Sequence, residues 1–434
     1  MKKTIKAISV IIVLCMVISL LSACSKQPEV LMTLEDKTLS VNTYQFLLTR
    51  MKGTVANYGY DVNNSNFWRT IISADGSTYD DYFTVSTQEQ ASRYLIGDYL
   101  FDYYKLELAD EDVALVDQLM DAYVKQAGSK NNLNSILKEY GANYDILREL
   151  LLLDLKVNAV KEHLFGDDCQ KVDKSVKEDY LKENYVAFAQ IYVSTYSYVL
   201  KTDEYGDTVY YTDESCSAIA YDRTVGLPLA DGSGEAILDE FDNVRYFDDD
   251  GNVAYDKVNG VVGYETEKDN DGNTVKKMKK MNDEEIAEIE KKVNAYLEKC
   301  DGDIDAFLEH AEIYGESEND GEIMYLRANG TYYGSSGDSY KYLDEIAKNV
   351  KAGDLYSCSV VESSAGFHII CKMELEEEAY DDESQKDTFA DFYASLSAKL
   401  YDEKCKEYES LIEIDDDVLA EMPKISEVQT NKNY

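Results

Sequence analysis

Histidine is almost missing from this chain. His163, His310 and His368 are the only three in 434 residues. A His-based zinc site or a Ser-His-Asp triad needs imidazoles in specific company, and three scattered ones argue against both. No Cys-x-x-Cys pair and no Gly-rich phosphate loop occur, so neither metal nor cofactor is expected. Basic charge is short as well. Lys and Arg number 43 against 85 Asp and Glu, a formal charge of −42. Such a surface repels phosphate backbones and excludes nucleic acid as a partner. It also keeps a protein soluble and discourages adhesion to anionic lipid. With three prolines and one tryptophan, 37 tyrosines dominate the aromatic residues. Tyrosine suits half-wet surfaces, where the ring is buried and the hydroxyl stays solvated.

What is present is enough for real cores. Hydrophobic residues make up 44% of the chain, and its length predicts two or three domains. Lys2, Lys3 and Lys6 precede an apolar run over residues 7–20, too short for a convincing span. The run closes on Leu21-Ser22-Ala23-Cys24. This resembles a bacterial lipobox, which implies a signal peptide over 1–23 and lipidation of Cys24. An ordinary signal peptide with a chance cysteine is the other reading. Loss of the leader removes three lysines and makes the chain more acidic still. Lipidation would place the protein on the extracytoplasmic face of the bacterial cytoplasmic membrane. Each buried methylene contributes about 0.8 kcal/mol, so two or more acyl chains hold stably.

Beyond the leader, residues 30–34 read as a strand with a turn at Glu35-Asp36-Lys37. Ser40 or Asn42 then caps a helix. Residues 53–85 read as a long polar loop, with helices resuming near Thr87. Asp110 is a candidate cap for an amphipathic helix through Val124, Asn134–Tyr140 is a short helix stopped by Gly141, Asn143 opens a long one, and Asp173 starts another through Asn184.

Residues 340–372 organise the next part. Leu343, Ile346, Ala347 and Val350 recur at helical spacing, and Gly353 is placed as a left-handed cap. Two β-rich runs follow, 356–361 and 367–372, around a turn at 363–366. The Gly366-Phe367-His368-Ile369-Ile370 tail, the preceding helix and hairpin, and the upstream Phe188-Ala189-Gln190-Ile191-Tyr192-Val193 resemble a parvulin domain. So do Phe307, Ala311, Tyr314 and the Gly321-Glu322-Ile323 step. Parvulins are peptidyl-prolyl isomerases. The helical succession before Phe188 resembles the chaperone module of PrsA/SurA-type foldases.

The resemblance implies an α+β fold: a helical SurA/PrsA-like N-terminal module completed by a C-terminal helix, plus a parvulin-like domain with a β-rich insertion. The expected plan is 1–23 signal peptide, 24–185 helical chaperone module and 186–375 parvulin-like domain, with the insertion at about 200–281. A C-terminal helix over 376–423 is expected to pack on the N-terminal module, and 424–434 to be a tail. Turn signals at 231–234, 249–252 and 270–273 make the insertion a set of hairpins. Glu267-x-Asp269-x-Asp271-Gly272 fits a solvated hairpin turn better than a calcium loop, since Met278 stands at the twelfth position. Asn282 with Glu285 forms a capping-box start. His310 shares a helix face with Phe307, Ala311 and Tyr314 and reads as a core histidine.

Of the polar parvulin cluster, only the last-strand histidine carries over, as His368. The first-strand histidine position holds Gln190, and the Cys/Asp position falls on Ser317. The proline-holding Phe and Met positions fall on Leu343 and Ser339, and Ile323 matches an apolar wall residue. His368 is either catalytic or a structural hydrogen-bonding residue. Cys358 and Cys371 are expected to face each other across the hairpin, as a disulfide or as two buried thiols. The resemblance implies a lipid-anchored foldase or chaperone for unfolded or newly secreted polypeptides, with a degenerate parvulin site. An active isomerase with a variant site, and a non-catalytic lipoprotein that binds one envelope partner, are the alternatives.

Anchoring through Cys24 has a direct check. Metabolic labelling with a fatty acid is expected to mark the wild type and miss Cys24→Ala. Equal labelling of both would remove the anchor.

Overall fold

The computed structural model of the chain describes residues 29–204, 206, 208–211, 214–216, 219–221, 261–269, 271–329 and 341–434. Cys24, Ser339 and the turn signals at 231–234 and 249–252 lie outside the described residues. Among the described residues, no helix is long and apolar enough to cross a membrane.

The architecture is α+β. β1 (Val30–Leu34) and β2 (Lys37–Ser40) form a hairpin, and the Ser40 side chain caps α1 (Val41–Asn57) by accepting the Thr43 N–H. A short helix, Ser65–Trp68, interrupts the polar stretch. α2 (Tyr79–Tyr103) starts well ahead of Thr87. Thr78 and Asp81 make a capping box, and Asp80 and Asp81 lie at the positive end of the helix, so its polar first turn hides it from a hydrophobic pattern. α3 (Asp110–Ala127) is capped at Ala109, with Asp110 in the first turn instead of at the cap. α4 (Lys130–Lys138) and α5 (Tyr144–Phe165) follow, α5 capped by Asn143. α6 (Lys174–Asn184) runs straight into β3 (Tyr185–Ser194).

Within the insertion, Tyr196–Tyr198 pairs with Met278–Lys280, Tyr210–Tyr211 pairs with Ile219–Tyr221 and Val261–Val262, and Thr266–Lys268 pairs with Thr274–Lys276. The last of these is the hairpin around Asp269, whose carboxylate accepts the Asp271 and Asn273 N–H groups. Then come α7 (Asp283–Cys300), opened by the Asn282–Glu285 capping box, and α8 (Ile304–Tyr314). β4 (Met324–Arg327), α9 (Lys341–Ala352), β5 (Cys358–Glu362), β6 (Gly366–Met373), α10 (Phe392–Lys406) and β7 (Glu413–Ile414) follow, and a short helix Asp416–Ala420 and a 3-10 turn Ile425–Glu427 come last. Gly353 does not take a left-handed conformation; the left-handed residue after α9 is Tyr356, at φ 63°. A Cβ on Gly353 would instead meet Ser357 Oγ at 2.4 Å.

The chain divides into two compact units, one of residues up to Lys177 with Asp391–Tyr434, the other Glu178–Ala390. The boundaries therefore fall outside the expected 186–375. The reason is Glu178, a buried carboxylate in α6 that accepts the Glu378 N–H at 2.9 Å and the Tyr380 hydroxyl at 3.2 Å. Residues on both sides of the expected domain are thereby tied into it.

In the first unit, α2 packs on α1 and α5, and β7 pairs with β1. Tyr401 and Cys405 of α10 enter the same core. Residues 424–434 are not a loose tail. Ile425, Val428 and Asn431 are buried, and the Asn431 N–H donates to Thr49 O.

In the second unit, a four-stranded antiparallel sheet has the order β4-β3-β6-β5. Strand alternation divides its side chains between two cores. Ala189, Ile191, Val193, Phe367, Ile369 and Cys371 face α7 and α8. Val186, Phe188, Ile370, Val361 and Leu326 face α9. Cys358 pairs with Cys371 in the ladder, and both are thiols, with Cys358 Sγ 3.5 Å from Cys300 O.

Gly53 fixes how closely the C-terminal segment approaches α1. A Cβ there would sit 1.6 Å from Asn431 O, a backbone atom with no rotamer to yield. Gly53→Ala should destabilise the first unit by about 3 kcal/mol, the upper range for overpacking, despite alanine's better helix propensity. Denaturant melts read this directly. A variant as stable as wild type would show that the segment is only loosely seated.

Candidate functional site

Strand alternation also decides which polar groups meet. Gln190 and Tyr192 of β3 lie on the α9 face, as does His368 of β6. The register sets Ile370 opposite Gln190 and Tyr192 opposite His368. His368 thus reaches Gln190 diagonally, and its Nδ1 lies 3.0 Å from Gln190 Oε1. On the other side, Nε2 lies 3.0 Å from Ser363 Oγ in the hairpin turn. The Tyr342 ring, in the first turn of α9, stacks on the imidazole at 5.0 Å and 13°. Tyr192 lies beside it at 5.1 Å, and the Tyr192 hydroxyl donates to Ala365 O.

This environment keeps the imidazole neutral. His368 is only 7% exposed, and burial pushes its pKa down to about 4. Gln190 Oε1 can only accept, so in the neutral ring Nδ1 carries the proton toward it and Nε2 is left as the acceptor nitrogen facing Ser363 Oγ, a hydroxyl that also lies 3.2 Å from Gly366 O. A neutral, doubly hydrogen-bonded histidine is a poor general acid near neutrality. It can still fix the shape and polarity of the sheet end.

The structure brings His368 and Gln190 together and leaves Ser317 in a different role. The Ser317 N–H donates to Asp320 Oδ2 at 2.8 Å. Asp320 Oδ1 accepts the Tyr192 N–H at 2.9 Å, so this aspartate clamps the loop to the edge of β3. Burial pushes the Asp320 carboxyl up, against backbone hydrogen bonds that favour the anion. Glu316 N–H to Tyr192 O and Gly321 N–H to Gln190 O continue the attachment. Ile323 is half-buried just before β4. Leu343 packs in the apolar cluster under α9, and the ring against His368 is Tyr342, one residue earlier. His310 is half-buried, with Nδ1 2.8 Å from Ala306 O and its ring against Tyr296 and Tyr314.

Sequence reasoning missed Tyr342, Tyr192 and Ser363. Tyr192 was within reach, since period-two alternation puts it on the same face as Gln190. Tyr342 and Ser363 depend on where α9 and the turn land on the sheet, and no local pattern carries that.

The His368 shift has a signed consequence. The folded pKa of about 4 lies below the ordinary 6.5, so the unfolded chain binds the proton first. Its contribution to stability is complete above pH 6.5 and falls as pH drops toward 4, by about 3 kcal/mol at most. Denaturant melts between pH 7 and pH 4 should show a shallower loss for His368→Gln than for wild type. Identical pH slopes would mean that the imidazole is solvated.

No protein-family model matches the chain, and no curated protein matches it. Among solved structures, PrsA from Bacillus subtilis is 14% identical over 82% of this chain and 94% of its own, with a TM-score of 0.19. Foldase protein PrsA from Streptococcus pneumoniae is 12% identical over 80% and 96%, with a TM-score of 0.21. Peptidylprolyl isomerase PrsA from Bacillus cereus is 14% identical over 82% and 100%, with a TM-score of 0.22. TM-scores near 0.2 do not describe a shared overall shape, so these likenesses carry no weight for fold or activity.

Proposed function

We propose that this chain is a lipid-anchored, extracytoplasmic foldase or chaperone for unfolded or newly secreted polypeptides, with a degenerate parvulin-like site in its second unit. The observation that carries the reading is the His368–Gln190 contact on the α9 face of the sheet. The resemblance puts Gln190 and His368 at the two strand positions that the family fills with histidines. Prolyl isomerisation crosses a barrier of about 18–20 kcal/mol without a covalent step, so a desolvating slot alone can supply some rate. Gln190 cannot act as a partner imidazole, and Ser317 Oγ accepts the Asn319 N–H within its own loop. The Tyr342 ring favours the alternative of residual isomerase activity, because it offers an aromatic face where Leu343 does not.

Support for client holding comes from the first unit. Tyr58 is 79% exposed, Ile71 65% and Leu115 61%. Each offers apolar area that an unfolded chain can bury. The strongly acidic surface would keep such a complex soluble.

The test runs a proline-limited refolding assay beside an aggregation assay. Wild type should suppress aggregation and isomerise weakly, and Gln190→His should raise the isomerisation rate about tenfold, equivalent to roughly 1.4 kcal/mol of barrier. Efficient catalysis by the wild type, abolished in His368→Ala, would make the site a working one. Failure to suppress aggregation of any unfolded client would remove the chaperone reading.

A further inference from the structure

The six cysteines among the described residues are thiols, and two of them face each other. Cys358 of β5 stands opposite Cys371 of β6 in an antiparallel ladder. The hydrogen bonds nearby show which kind of pair this is. The Lys372 N–H donates to Ser357 O at 3.1 Å, and the Ser363 N–H donates to Gly366 O at 2.8 Å. Hydrogen-bonded and non-hydrogen-bonded pairs alternate along such a ladder. Ser357–Lys372 is bonded, so its neighbour Cys358–Cys371 is a non-hydrogen-bonded pair. There the Cα atoms stand about 4.5 Å apart and the side chains are at their closest. That separation lies within the range that a disulfide spans.

The two sulfurs converge on one oxygen. Cys358 Sγ lies 3.8 Å from Tyr356 O, and Cys371 Sγ lies 3.7 Å from the same atom. The Cys358 thiol also donates to the Cys371 sulfur, which pushes the Cys371 pKa down and that of Cys358 up. Residues just past α7 hold this end of the strand in place. Asp301 Oδ1 accepts the Cys358 N–H at 2.8 Å, and the Gly302 N–H donates to Tyr356 O at 3.0 Å. A third thiol, Cys300, turns its carbonyl to the pair instead of its sulfur. Cys300 O lies 3.5 Å from Cys358 Sγ, while Cys300 Sγ lies 3.8 Å from Ala306 O in α8. Exposure separates the two facing cysteines. β5 is the edge strand and Cys358 is half-buried, whereas Cys371 is fully buried. A reagent from solvent therefore meets Cys358 first.

We propose that Cys358 and Cys371 form a reversible redox site that is oxidised by a low-molecular-weight disulfide. The Cys358 thiolate attacks one sulfur of R–S–S–R. A Cys358–S–S–R bond forms, and the released RS⁻ takes up the proton that Cys358 gave away. Cys371, as the thiolate, then attacks Cys358 Sγ. The Cys358–Cys371 bond forms, and the second RS⁻ leaves and takes up the Cys371 proton. The protein loses two electrons and two protons, and the reagent is reduced to two R–SH. A reduced dithiol reverses both steps. The link would staple the edge strand to β6, and with it the turn that sets Ser363 beside His368. The site stands independently of the foldase reading.

The test incubates the full chain with glutathione disulfide at mildly alkaline pH, which supplies thiolate at Cys358 despite its raised pKa. The reaction is quenched with acid, the chain is unfolded, free thiols are alkylated and the digest is read by mass spectrometry. Cys216 is exposed and reports access of the reagent. The expected product is a pair of peptides joined through Cys358 and Cys371, reopened by dithiothreitol. Cys371→Ser should stop at glutathione on Cys358. In Cys358→Ser, Cys371 should take up glutathione about tenfold or more slowly than Cys216, because reaction follows exposure. Two results on the wild type overturn the proposal. One is that Cys358 and Cys371 both stay free long after Cys216 is fully capped. The other is that Cys371 is joined to Cys300 in place of Cys358.

Discussion

The pairing of β3 with β6 is the contact on which the second unit depends. Eight residue pairs run from Gly366–Ser194 to Met373–Ala187. Because side chains alternate, this one register sorts the sheet into two separate cores, one under α7 and α8 and one under α9. A slip of β6 by one residue against β3 would drive His368 into the α7–α8 core and turn Ile369 toward the polar end. Such a slip would bury unpaired polar groups and expose apolar ones, so the register is strongly fixed. The same register aligns Cys358 with Cys371 and carries Tyr192 to His368.

A single buried histidine then sets the chemistry of that sheet end. His368 gives up its ordinary pKa to burial and gains two hydrogen bonds in return. The result is a rigid, neutral, aromatic-lined polar cluster. Such a cluster can shape a binding surface, and near neutrality it has no proton to give. The loop that could have supplied a carboxylate uses Asp320 to hold itself on β3. The stretch Gly315–Ile323 is occupied with backbone attachment to β3.

The first unit puts its costliest buried charge to a similar structural use. Lys52 is 6% exposed, and burial lowers its pKa, with Asp80 opposing the shift. An ammonium so placed is tolerable only because main-chain carbonyls and Asp80 surround it. Its partners lie more than 370 residues away in sequence. Gly53, the next residue on α1, has no side chain because the same C-terminal segment passes over it.

By itself, the sequence determined most of the local elements. Capping chemistry at Ser40, Asn143 and Asn282 marks helix starts because a side-chain oxygen there satisfies an otherwise orphaned N–H. The turn at 363–366 fixes its flanking strands, so the Cys358–Cys371 pairing follows from counting. Only the family resemblance places His368 and Gln190 in one cluster, and strand alternation in β3 and β6 is what turns them to one face. The start of α2 at Tyr79 was hidden, since its first turn is polar and only the capping box reveals it. Tertiary structure alone decided the rest. Glu178 moved the unit boundaries by bonding across 200 residues of chain. Tyr342 and Ser363 reached His368 through the docking of a helix and a turn. Lys52, Asp80 and Thr84 hold residues 424–434, which read as a tail, against α1 and α2. Each of these rests on a long-range hydrogen bond or ring contact, which burial makes strong and which no short window of sequence can contain.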